Sequence, residues 1–367
     1  MKTLLLIPSV RKHGIGPAMA AGRHPRMDYD ALADALCAEG GVDVLDYAAL
    51  DAERHPLVRA ASRLFGRDAA LAVAGFVRRD RYGAVFTNGE NVGIPLALLL
   101  RRAGRRTLRP GHVTIGHRLS SPKKTPFFRR LRAHDGMDTV FVYAGEQARY
   151  ARAELGIPPG AVRQIAFHAD ERFWRPRPEV PVKATQICAA GLEWRDYPTL
   201  IRAVAGLPDV CVTLAAASPW SKHADQTRGG GLPPNVHVAR FDYAGLRDLY
   251  AASAAVVVPL RENDFQAGVT TLLEAMAMGK PVIATQTTGQ TDVIAPGENG
   301  LFVPPGDVEG WRRAIRGLLD DPARGARLGQ NARRWVERHA TLDRWVGEIA
   351  GALRRCTLAS PRWKEAK

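Results

Sequence analysis

The sequence predicts an α/β protein made of two doubly wound domains, each built around a parallel sheet. Short apolar runs alternate with longer amphipathic stretches along most of the 367 residues. Strands that are buried on both faces and joined by helices produce this pattern in βαβ units. The alternation is interrupted by a proline-rich stretch, "DERFWRPRPEVPVK" (170–183), and then begins again. Such an interruption is typical of a linker between two domains.

Each predicted strand is a short apolar run, and the helical patterns lie between the runs. In the first half the predicted strands are 3–9, 42–47, 83–88, 112–117, 138–143 and 162–167, and the predicted helices are 28–38, 56–77, 92–102 and 145–155. In the second half the predicted strands are 185–191, 210–216, 236–241, 254–260 and 281–286, followed by helices at 307–319, 323–339 and 341–355. The last helices could pack on the second domain or cross back to the first. We therefore expect a first domain at 1–175, a linker at 176–182, a second domain at 183–340, and a C-terminal helix and tail at 341–367.

Positive charge is concentrated in the first half of the chain. The formal net charge is +15. Residues 1–175 hold 28 Lys and Arg against 17 Asp and Glu, whereas residues 176–367 hold 24 against 20. Residues 101–132 alone contain eleven Lys or Arg and no acid. Such a patch attracts a polyanion, an anionic membrane surface or a phosphorylated acceptor. Because no nucleic-acid-binding module accompanies the charge, we expect no nucleic acid partner.

The apolar and cysteine patterns predict a cytoplasmic protein. The longest apolar runs fall far short of the roughly 20 residues that cross a bilayer. The N-terminal "MKTLLLIPSVRKHG" has the features of a buried strand rather than of a secretory signal. The four cysteines show no C-x-x-C spacing, which argues against a zinc site or a disulfide framework.

Two loops at predicted strand ends contain candidate binding residues, because open α/β sheets bind ligands beyond the carboxyl ends of their strands. In "RKHGIGPA" (11–18), Gly14 and Gly16 would let the backbone approach a phosphate closely, although an ordinary tight turn has the same composition. In "GVTTLLEAMAMG" (268–279), Thr270 or Thr271 can cap a helix whose positive end would face a diphosphate. Glu274, one turn further on, could accept both hydroxyls of a ribose or be a solvated surface charge.

The stretch "YAASAAVVVPL…GVTTLLEAMAMGKPVIATQTTGQTDVIAPGENGLFVPPGD" (250–307) resembles the donor-binding core of the retaining glycosyltransferases of family 4, also called group 1. Shorter resemblances lie at "GLEWRDYPTLIRA" (191–203), at 148–176 and at "IGHRLS" (115–120). The resemblance covers residues 110–340 well and residues 1–110 only in pattern. It implies the GT-B fold, in which two Rossmann-like domains face each other across a cleft.

The resemblance also implies an activity. Enzymes of this family transfer a sugar, with retention, from a nucleoside diphosphate sugar to a glycan, lipid-linked or small-molecule acceptor. No cofactor or metal would be obligatory. A DxD-like "DYD" (28–30) is present, but its position at a predicted helix start favours helix electrostatics over a metal site.

The resemblance assigns roles to residues of the second domain. Glu274 would bind the nucleotide ribose, and the backbone around Gly268, Val269, Thr270 and Thr271 would bind phosphate. Arg195 stands where the family usually has lysine, and its guanidinium suits a leaving diphosphate.

The sequence departs from the family pattern beside Arg195. Leu192 follows Gly191 where the family often has arginine. Arg261 and Lys280 are candidates for the missing charge, although Lys280 could simply be a cation at a helix end.

The family's glutamate pair, spaced E-x7-E, is incomplete in this sequence. Counting back from Glu274 places Gln266 at the first position, where the family's carboxylate contacts the transferred sugar. A glutamine can hydrogen-bond to sugar hydroxyls but cannot serve as a base or as a covalent nucleophile. Gln266 therefore fits a retaining front-face reaction, in which the leaving phosphate oxygen takes the acceptor proton. Glu262 or Asp264 could substitute after a shift of the loop, or could be surface charges.

Two features of the first half are also candidates. The resemblance places His117 at the donor sugar or the reacting centre, although a lone histidine is often structural. The segment "SSPKKTPFFRRLR" (120–132) could form a basic amphipathic helix on an anionic membrane, at its inner face, or could bury its phenylalanines in the core. Two other functions remain open: a degenerate glycosyltransferase-like binding protein without turnover, and a sugar-phosphate synthase on the same fold.

Overall fold

A computed structural model describes residues 2–37, 40–103, 109–215 and 231–359. Contacts divide the chain into two compact units, and each unit contains one six-stranded sheet. Every strand pair in both sheets is parallel. The prediction of two doubly wound α/β domains is therefore confirmed.

The first unit comprises the chain up to Gly14, Met27–Ile165, and the chain from Asp343 onward. Its strands are β1 (Lys2–Leu6), β2 (Val42–Leu45), β3 (Tyr82–Thr87), β4 (Gly111–Gly116), β5 (Thr139–Val142) and β6 (Val162–Gln164), in the order β2-β1-β3-β4-β5-β6. Its helices are α2 (Asp28–Cys37), α3 (Tyr47–Asp51), α4 (Pro56–Phe65), α5 (Arg67–Val77), α6 (Glu90–Arg102), α7 (Thr125–Arg129), α8 (Gly145–Ala153) and α14 (Leu342–Ala359). Single 3-10 turns occupy Arg79–Arg81, Ala133–Gly136 and Pro159–Ala161.

The second unit comprises Ile15–Arg26 and Ala166–Leu342. Its strands are β7 (Lys183–Ala190), β8 (Cys211–Ala215), β9 (Val236–Val238), β10 (Ser253–Val258), β11 (Val282–Thr285) and β12 (Leu301–Val303), in the order β12-β11-β10-β7-β8-β9. Its helices are α1 (Gly16–Ala20), α9 (Tyr197–Ala205), α10 (Tyr243–Ala252), α11 (Val269–Ala277), α12 (Val308–Leu319) and α13 (Pro322–His339). Buried side chains form one apolar cluster on each face of this sheet.

The two units divide the chain differently from the boundaries expected from the sequence. Residues 166–175 belong to the second unit, because Phe173 and Trp174 are buried in its core. The short segment Ile15–Arg26 also belongs there, since the Arg26 amide and Nε both donate to the Asp170 carboxylate, at 2.8 and 2.9 Å. In this region the boundary between the units lies between Ile165 and Ala166, and the segment expected as a linker, 176–182, lies within the second unit.

The C-terminal helix α14 returns to the first unit, one of the two possibilities left open by the sequence. Trp345 Nε1 donates to the Tyr143 hydroxyl at 3.1 Å, and the Trp345 ring packs edge-to-face on Phe86. A Cβ on Gly111 would lie 2.3 Å from Cys356 Cβ, so β4 and α14 are in close contact. The described part of the segment expected at 341–367 therefore belongs mainly to the first unit.

The element predictions were mostly confirmed, and three differences have local causes. The predicted helix at 56–77 is two helices, because Gly66 adopts φ +85° and ends α4. Strand β12 was not predicted, since its three residues are too short to show a period. The first residue of several helices is preceded by an aspartate whose side chain accepts a backbone N–H three residues on, and the sequence reading missed these caps. They are Asp46, Asp196, Asp242, Asp307 and Asp321.

Helix α11 is held in place at its C-terminal end by α13. Gly329 of α13 lies so close to Gly279 that a Cβ at position 329 would stand 2.0 Å from the Gly279 carbonyl oxygen. Arg333 Nη1 donates to the Ala277 and Trp174 carbonyls at 2.6 and 2.9 Å. Because the opposing atoms are backbone, a side chain at 329 cannot be accommodated by a rotamer change.

We expect Gly329→Ala to lower the unfolding free energy by about 1–3 kcal/mol, the usual cost of overpacking a core. Gly347→Ala, on the exposed face of α14 with open space around its Cβ, is the matched control and should stabilise by about 0.5–1 kcal/mol. Denaturant unfolding of both variants checks this. Equal stability of Gly329→Ala and the wild type would contradict the close packing of α11 on α13.

Candidate functional site

Three loops of the second unit meet at the carboxyl ends of adjacent strands. They follow β7, β10 and β11, which neighbour one another in the sheet. An antiparallel bridge joins Arg195 to Leu260, and the Leu260 amide donates to Thr285 Oγ1 at 2.8 Å. The Asp196 amide donates to the Pro259 carbonyl at 3.1 Å. The backbone thus fixes the three loops to one another at the sheet edge where ligands bind in this class of fold.

Arg195 is buried below these loops, with 4% of its surface exposed. Its Nε donates to the Ala190 carbonyl and its Nη1 to the Glu193 carbonyl, both at 2.9 Å. Its Nη2 donates to Thr271 Oγ1 at 3.1 Å. The structure therefore brings Arg195 and Thr271 together, as the sequence predicts. Three of the guanidinium's five N–H donors are used by these bonds, so its charge is fixed in position.

Two glycines make room for this guanidinium. A Cβ on Gly191 would lie 2.6 Å from Arg195 Nη2, and one on Gly268 would lie 2.9 Å from Nη1. Both residues also have positive φ, +88° and +73°. Leu192, which stands where the family often has arginine, packs against an apolar cluster instead. Gly191 and Gly268 are thus required by both space and backbone conformation.

The N-terminus of α11 lies beside Arg195 and has no side-chain cap. The N-cap residue is Gly268, so the expectation that Thr270 or Thr271 caps this helix is wrong. Thr270 is exposed, while Thr271 uses its hydroxyl on Arg195 and on the Ala190 carbonyl. A helix N-terminus without a side-chain cap attracts an anion, since its first amides and its dipole are positive.

Glu274 is buried rather than solvated, which excludes the alternative of a surface charge. Its residue is 8% exposed, and its Oε2 accepts a hydrogen bond from the Tyr250 hydroxyl at 3.2 Å. Burial raises the pKa of Glu274 to about 8, although the bond from Tyr250 and the charge of Arg195 oppose this shift. A buried carboxyl group with a raised pKa therefore lies about one turn inside α11. Tyr250 was not identified from the sequence, where it looks like an ordinary aromatic residue of an apolar helix.

Gln266 is one of three buried polar side chains at this site that carry an atom without a hydrogen-bond partner among the described residues. The atoms are Oε1 of Gln266, Oδ1 of Asn263 and Oγ1 of Thr287, in residues that are 7%, 5% and 2% exposed. The loop holding Thr287 is pressed against the loop holding the other two, since the Gly289 amide donates to the Asn263 carbonyl at 2.9 Å. Buried polar atoms without partners are costly, so their presence together favours a polar ligand.

Two of the other charged candidates near this loop, Glu262 and Lys280, have structural partners. Glu262 is exposed and accepts the Thr288 amide at 2.9 Å, so it holds the loop in place. Lys280 Nζ donates to the Ala251 and Ser253 carbonyls, at 2.5 and 2.9 Å, at the end of α10. Lys280 therefore acts as a cation at a helix end, which is the structural alternative offered by the sequence. Arg261 is exposed.

An aromatic pair that was missed in the sequence lies next to these residues. Trp194 and Phe265 pack edge-to-face with their centroids 5.5 Å apart, and both are partly exposed. Trp194 adopts φ +57°, a left-handed conformation that is uncommon for a bulky residue. Its carbonyl accepts the Arg261 amide at 2.9 Å, which helps to hold that conformation. Such backbone conformations tend to occur at functional sites.

In the first unit, His117 lies at the end of β4 on a loop that buried side chains hold in place. Glu90, 3% exposed, accepts the amides of His117 and Arg118 at 2.8 and 3.0 Å and pairs with Lys124. Burial alone would raise the pKa of Glu90, but its interactions with His117 and Lys124 outweigh that effect and lower the pKa. Gln147 Oε1 accepts hydrogen bonds from the amides of Leu119 and Ser120, at 2.7 and 3.2 Å. Neither Glu90 nor Gln147 was identified from the sequence.

The His117 ring itself is exposed and lies 5.6 Å from the Tyr143 ring. Desolvation by the surrounding protein lowers the pKa of His117, although the Glu90 carboxylate opposes this. A neutral imidazole is thus available at physiological pH, free to donate from one nitrogen and accept at the other. The structure leaves the functional role predicted for His117 open.

The loop that contains Gly14 and Gly16 (11–18) has fewer packing contacts than the loops described above. Gly14 adopts φ +75°. A Cβ added to Gly14 or to Gly16 would have no neighbouring atom within 4 Å. Gly16 begins α1, which has only five residues and no side-chain cap. The positive φ of Gly14 agrees with a tight turn, and the predicted phosphate role of both glycines remains a prediction.

The basic segment at 120–132 does not form a long amphipathic helix. Its helix α7 has five residues, and Phe128 is fully buried. Lys124, Arg129 and Arg132 pair with Glu90, Glu154 and Asp135. Five residues of the larger basic patch, 104–108, lie outside the described part of the chain.

The described residues lack both a membrane-spanning helix and a cluster of metal ligands. None of the described helices is long and apolar enough to cross a membrane. Within the same residues, no group of three or more His, Cys, Asp or Glu side chains could hold a metal ion. Asp28 and Asp30 of the "DYD" sequence lie in the first turn of α2, as predicted.

Comparison with known proteins identifies relatives of this chain. Residues 185–321 match the family model described as glycosyl transferases group 1. A D-inositol 3-phosphate glycosyltransferase of Catenulispora acidiphila is 32% identical over 55% of this chain and 44% of its own length. A GDP-mannose-dependent alpha-(1-6)-phosphatidylinositol monomannoside mannosyltransferase of Mycolicibacterium smegmatis is 28% identical over 70% of this chain and 72% of its own length. Most of the curated relatives are matched over about half of their length or less.

Solved structures extend the similarity to nearly the whole chain. Sucrose-phosphate synthase from Thermosynechococcus elongatus matches with a TM-score of 0.70 at 20% identity, over 98% of this chain and 100% of its own. HepE from Anabaena, in complex with UDP and glucose, matches with a TM-score of 0.68 at 19% identity. The match covers 96% of this chain and 99% of the HepE chain. These structures confirm the GT-B fold.

The raised pKa of Glu274 makes stability depend on pH in a defined direction. The folded protein holds this proton up to about pH 8, whereas the free side chain releases it near 4.5. The stabilising contribution is therefore complete below the lower value and is lost as pH rises through the higher one. We expect the wild type to lose stability relative to Glu274→Gln as pH rises from about 5 to about 8. Thermal unfolding across this range measures the difference, and a constant difference would show that Glu274 is ionised in the fold throughout.

Proposed function

We propose that this chain is a retaining, family 4 glycosyltransferase that moves a sugar from a nucleoside diphosphate sugar to an acceptor. The observation that carries the proposal is the uncapped N-terminus of α11, which has buried Arg195 beside it and buried Glu274 one turn further on. The names of the relatives support it, since they include glycosyltransferases and a GDP-mannose-dependent mannosyltransferase. The structural neighbour with bound UDP and glucose supports the same donor class.

The diphosphate of the donor would lie at the N-terminus of α11. The amides of Val269, Thr270 and Thr271 and the dipole of the helix would contact phosphate oxygens. Arg195 would act mainly as a fixed charge, because carbonyl groups and Thr271 already hold its nitrogens. Its attraction grows as the diphosphate leaves and gains charge, so it would stabilise the transition state more than the bound donor.

The ribose of the donor would be held by Glu274. Its carboxyl group can accept hydrogen bonds from both ribose hydroxyls while Tyr250 supports the second oxygen. Hydrogen bonds to the ionised form favour it, so donor binding would lower the pKa of Glu274. The buried carboxyl group would therefore release a proton as the nucleotide binds near neutral pH.

The transferred sugar would lie against Gln266, Asn263 and Thr287, whose unpartnered polar atoms can be satisfied by sugar hydroxyls. The aromatic pair of Trp194 and Phe265 would border this pocket. Since Gln266 is neutral, the protein offers no nucleophile at that position. We propose a front-face reaction in which the bond from the anomeric carbon to the phosphate oxygen breaks. The acceptor oxygen bonds to the same face, and its proton passes to the leaving phosphate oxygen, so no metal or cofactor is required.

His117 would contact the donor sugar or the reacting centre from the first unit, as a neutral hydrogen-bonding group. Its position depends on the two backbone bonds that Glu90 accepts from residues 117 and 118. Gly14 and Gly16 would allow a close backbone approach to phosphate.

The acceptor would be bound mainly by the first unit. Its excess of basic residues favours an acceptor bearing phosphate, and the names of two relatives contain inositol 3-phosphate and phosphatidylinositol. Two neighbouring structures are a sucrose-phosphate synthase and a trehalose-phosphate synthase. A synthase that uses a sugar phosphate as acceptor is therefore the second candidate function.

Calorimetric titration of UDP, GDP and ADP tests the donor site. We expect one nucleotide to bind with micromolar affinity, and Glu274→Ala to weaken it by more than about tenfold, because two hydrogen bonds to a charged group are lost. His117→Ala is the matched variant: its nucleotide affinity should be retained while sugar transfer is lost. If none of the three nucleotides binds, the donor site proposed at α11 is wrong. Nucleotide binding without any donor turnover would instead indicate a binding protein that has lost the reaction.

Turnover of the Gln266 variants tests the front-face reaction. We expect Gln266→Ala to lower kcat by about tenfold to a hundredfold, because one or two hydrogen bonds to the sugar are lost. Gln266→Glu keeps both the size and the accepting oxygen and should retain most of the activity. Full activity of the alanine variant would remove Gln266 from the sugar site.

A further inference from the structure

Helix α4 of the first unit exposes three large apolar side chains to solvent. Its inner face is ordinary, since Val58 and Ala61 are buried in a small cluster. Leu57, Leu64 and Phe65, however, remain 61%, 74% and 75% exposed. These are the three most exposed large apolar side chains among the described residues. A large apolar group left in water at one place on a protein is a signal of a binding surface.

The exposed side chains lie together along the helix. Leu57 and Leu64 are seven residues apart and therefore share one face of α4, with exposed Ala60 between them. Phe65 is the last residue of the helix, where Gly66 turns the chain away with φ +85°. We call this set, Leu57, Ala60, Leu64 and Phe65, the α4 face.

Unpaired arginines surround the α4 face. Arg59 and Arg63 lie on the helix beside it and Arg54 just before its start, and all three are exposed. In the described part of the chain none of the three makes an ion pair. The nearest acids in sequence are already engaged, Asp51 with Arg67 and Glu53 with Arg78. The helix itself contains no Asp or Glu.

We propose that the α4 face docks onto an anionic lipid bilayer. Apolar side chains flanked by arginines on one amphipathic helix have the arrangement of helices that lie in the membrane interface. The apolar groups enter the boundary between head groups and acyl chains, while the arginines remain among the anionic head groups. The charge of the surface matches that of anionic lipid.

A second copy of this chain fits the α4 face less well. A stable protein interface buries roughly 800 Å² on each partner, which a few side chains of one short helix cannot supply. A symmetric pairing through this face would also bring its unpaired arginines against their own copies, and like charges in contact disfavour association.

The proposal moves the expected membrane contact away from residues 120–132. There three of the five basic side chains, Lys124, Arg129 and Arg132, have acidic partners and Phe128 is buried, while Phe127 and Leu131 are 39% and 44% exposed, less than the apolar side chains of α4. On α4 the arginines have no such partners and the apolar groups are exposed. The docking surface is also independent of the donor site, which lies in the second unit, so a failure of the proposed reaction leaves it untouched.

Co-sedimentation of the full chain with vesicles tests the proposal. We expect binding to vesicles that contain phosphatidylglycerol, little binding to phosphatidylcholine alone, and weakening of the binding by salt. The double variants Leu64→Gln with Phe65→Gln, and Arg59→Gln with Arg63→Gln, should each lower the bound fraction at a given lipid concentration by about tenfold. Val182→Gln replaces a side chain of similar exposure, 56%, outside α4 and should bind like the wild type.

Thermal unfolding of each variant ensures that a loss of vesicle binding is not a loss of folding. Absence of wild-type binding to the anionic vesicles would overturn the proposal, as would undiminished binding of the Leu64 and Phe65 double variant. A wild-type dimer in gel filtration that this double variant converts to a monomer, without vesicle binding by either, would show that a second copy covers the α4 face.

Discussion

The candidate site depends on one buried cation. The guanidinium of Arg195 lies where three loops meet, and its contacts with the Ala190 carbonyl and Thr271 join the end of β7 to the start of α11. The positive end of that helix is next to it and has no capping side chain. Two positive features are therefore held together, and the nearby Glu274 is largely protonated at neutral pH, so it neutralises little of their charge. A diphosphate would supply the missing negative charge, so the fold of these loops favours the proposed anion binding.

Most strands and most helices were predictable because their signals are local. Apolar runs buried on both faces of a sheet can be read from neighbouring residues. The division into units was not predictable in the same way, because it depends on contacts between residues far apart in sequence. Arg26 and Asp170 are 144 positions apart, and Tyr143 and Trp345 are 202 apart. A proline-rich linker marks where the pattern breaks, but it cannot show which unit a short segment such as Ile15–Arg26 joins.

The site residues divide in the same manner. Glu274 and Gln266 could be proposed because a motif of fixed spacing carries them, and Arg195 because a second stretch, 191–203, resembles the family. Their partners could not be found, since the roles of Tyr250, Asn263 and Thr287 depend on burial, which their residue types do not reveal. Glu90 and Gln147 are a clear case: both lie on helices and look like surface residues in the sequence, yet each turns inward to accept two backbone amides. Thr271 is the opposite case, because a residue type suited to capping was used to bind Arg195 instead.

The glutamine at position 266 is consistent with the groups around it. The three side chains with unpartnered atoms, Gln266, Asn263 and Thr287, are all neutral. An ionised carboxylate in the same place would lose its hydration without a cationic partner, so the side chain of the Gln266→Glu variant would bind the sugar in its protonated, neutral form. A neutral pocket avoids this desolvation cost. It leaves only the smaller cost of polar atoms without hydrogen bonds. A sugar that satisfies all three atoms at once would gain more than one that satisfies two, so the arrangement can select the sugar as well as hold it.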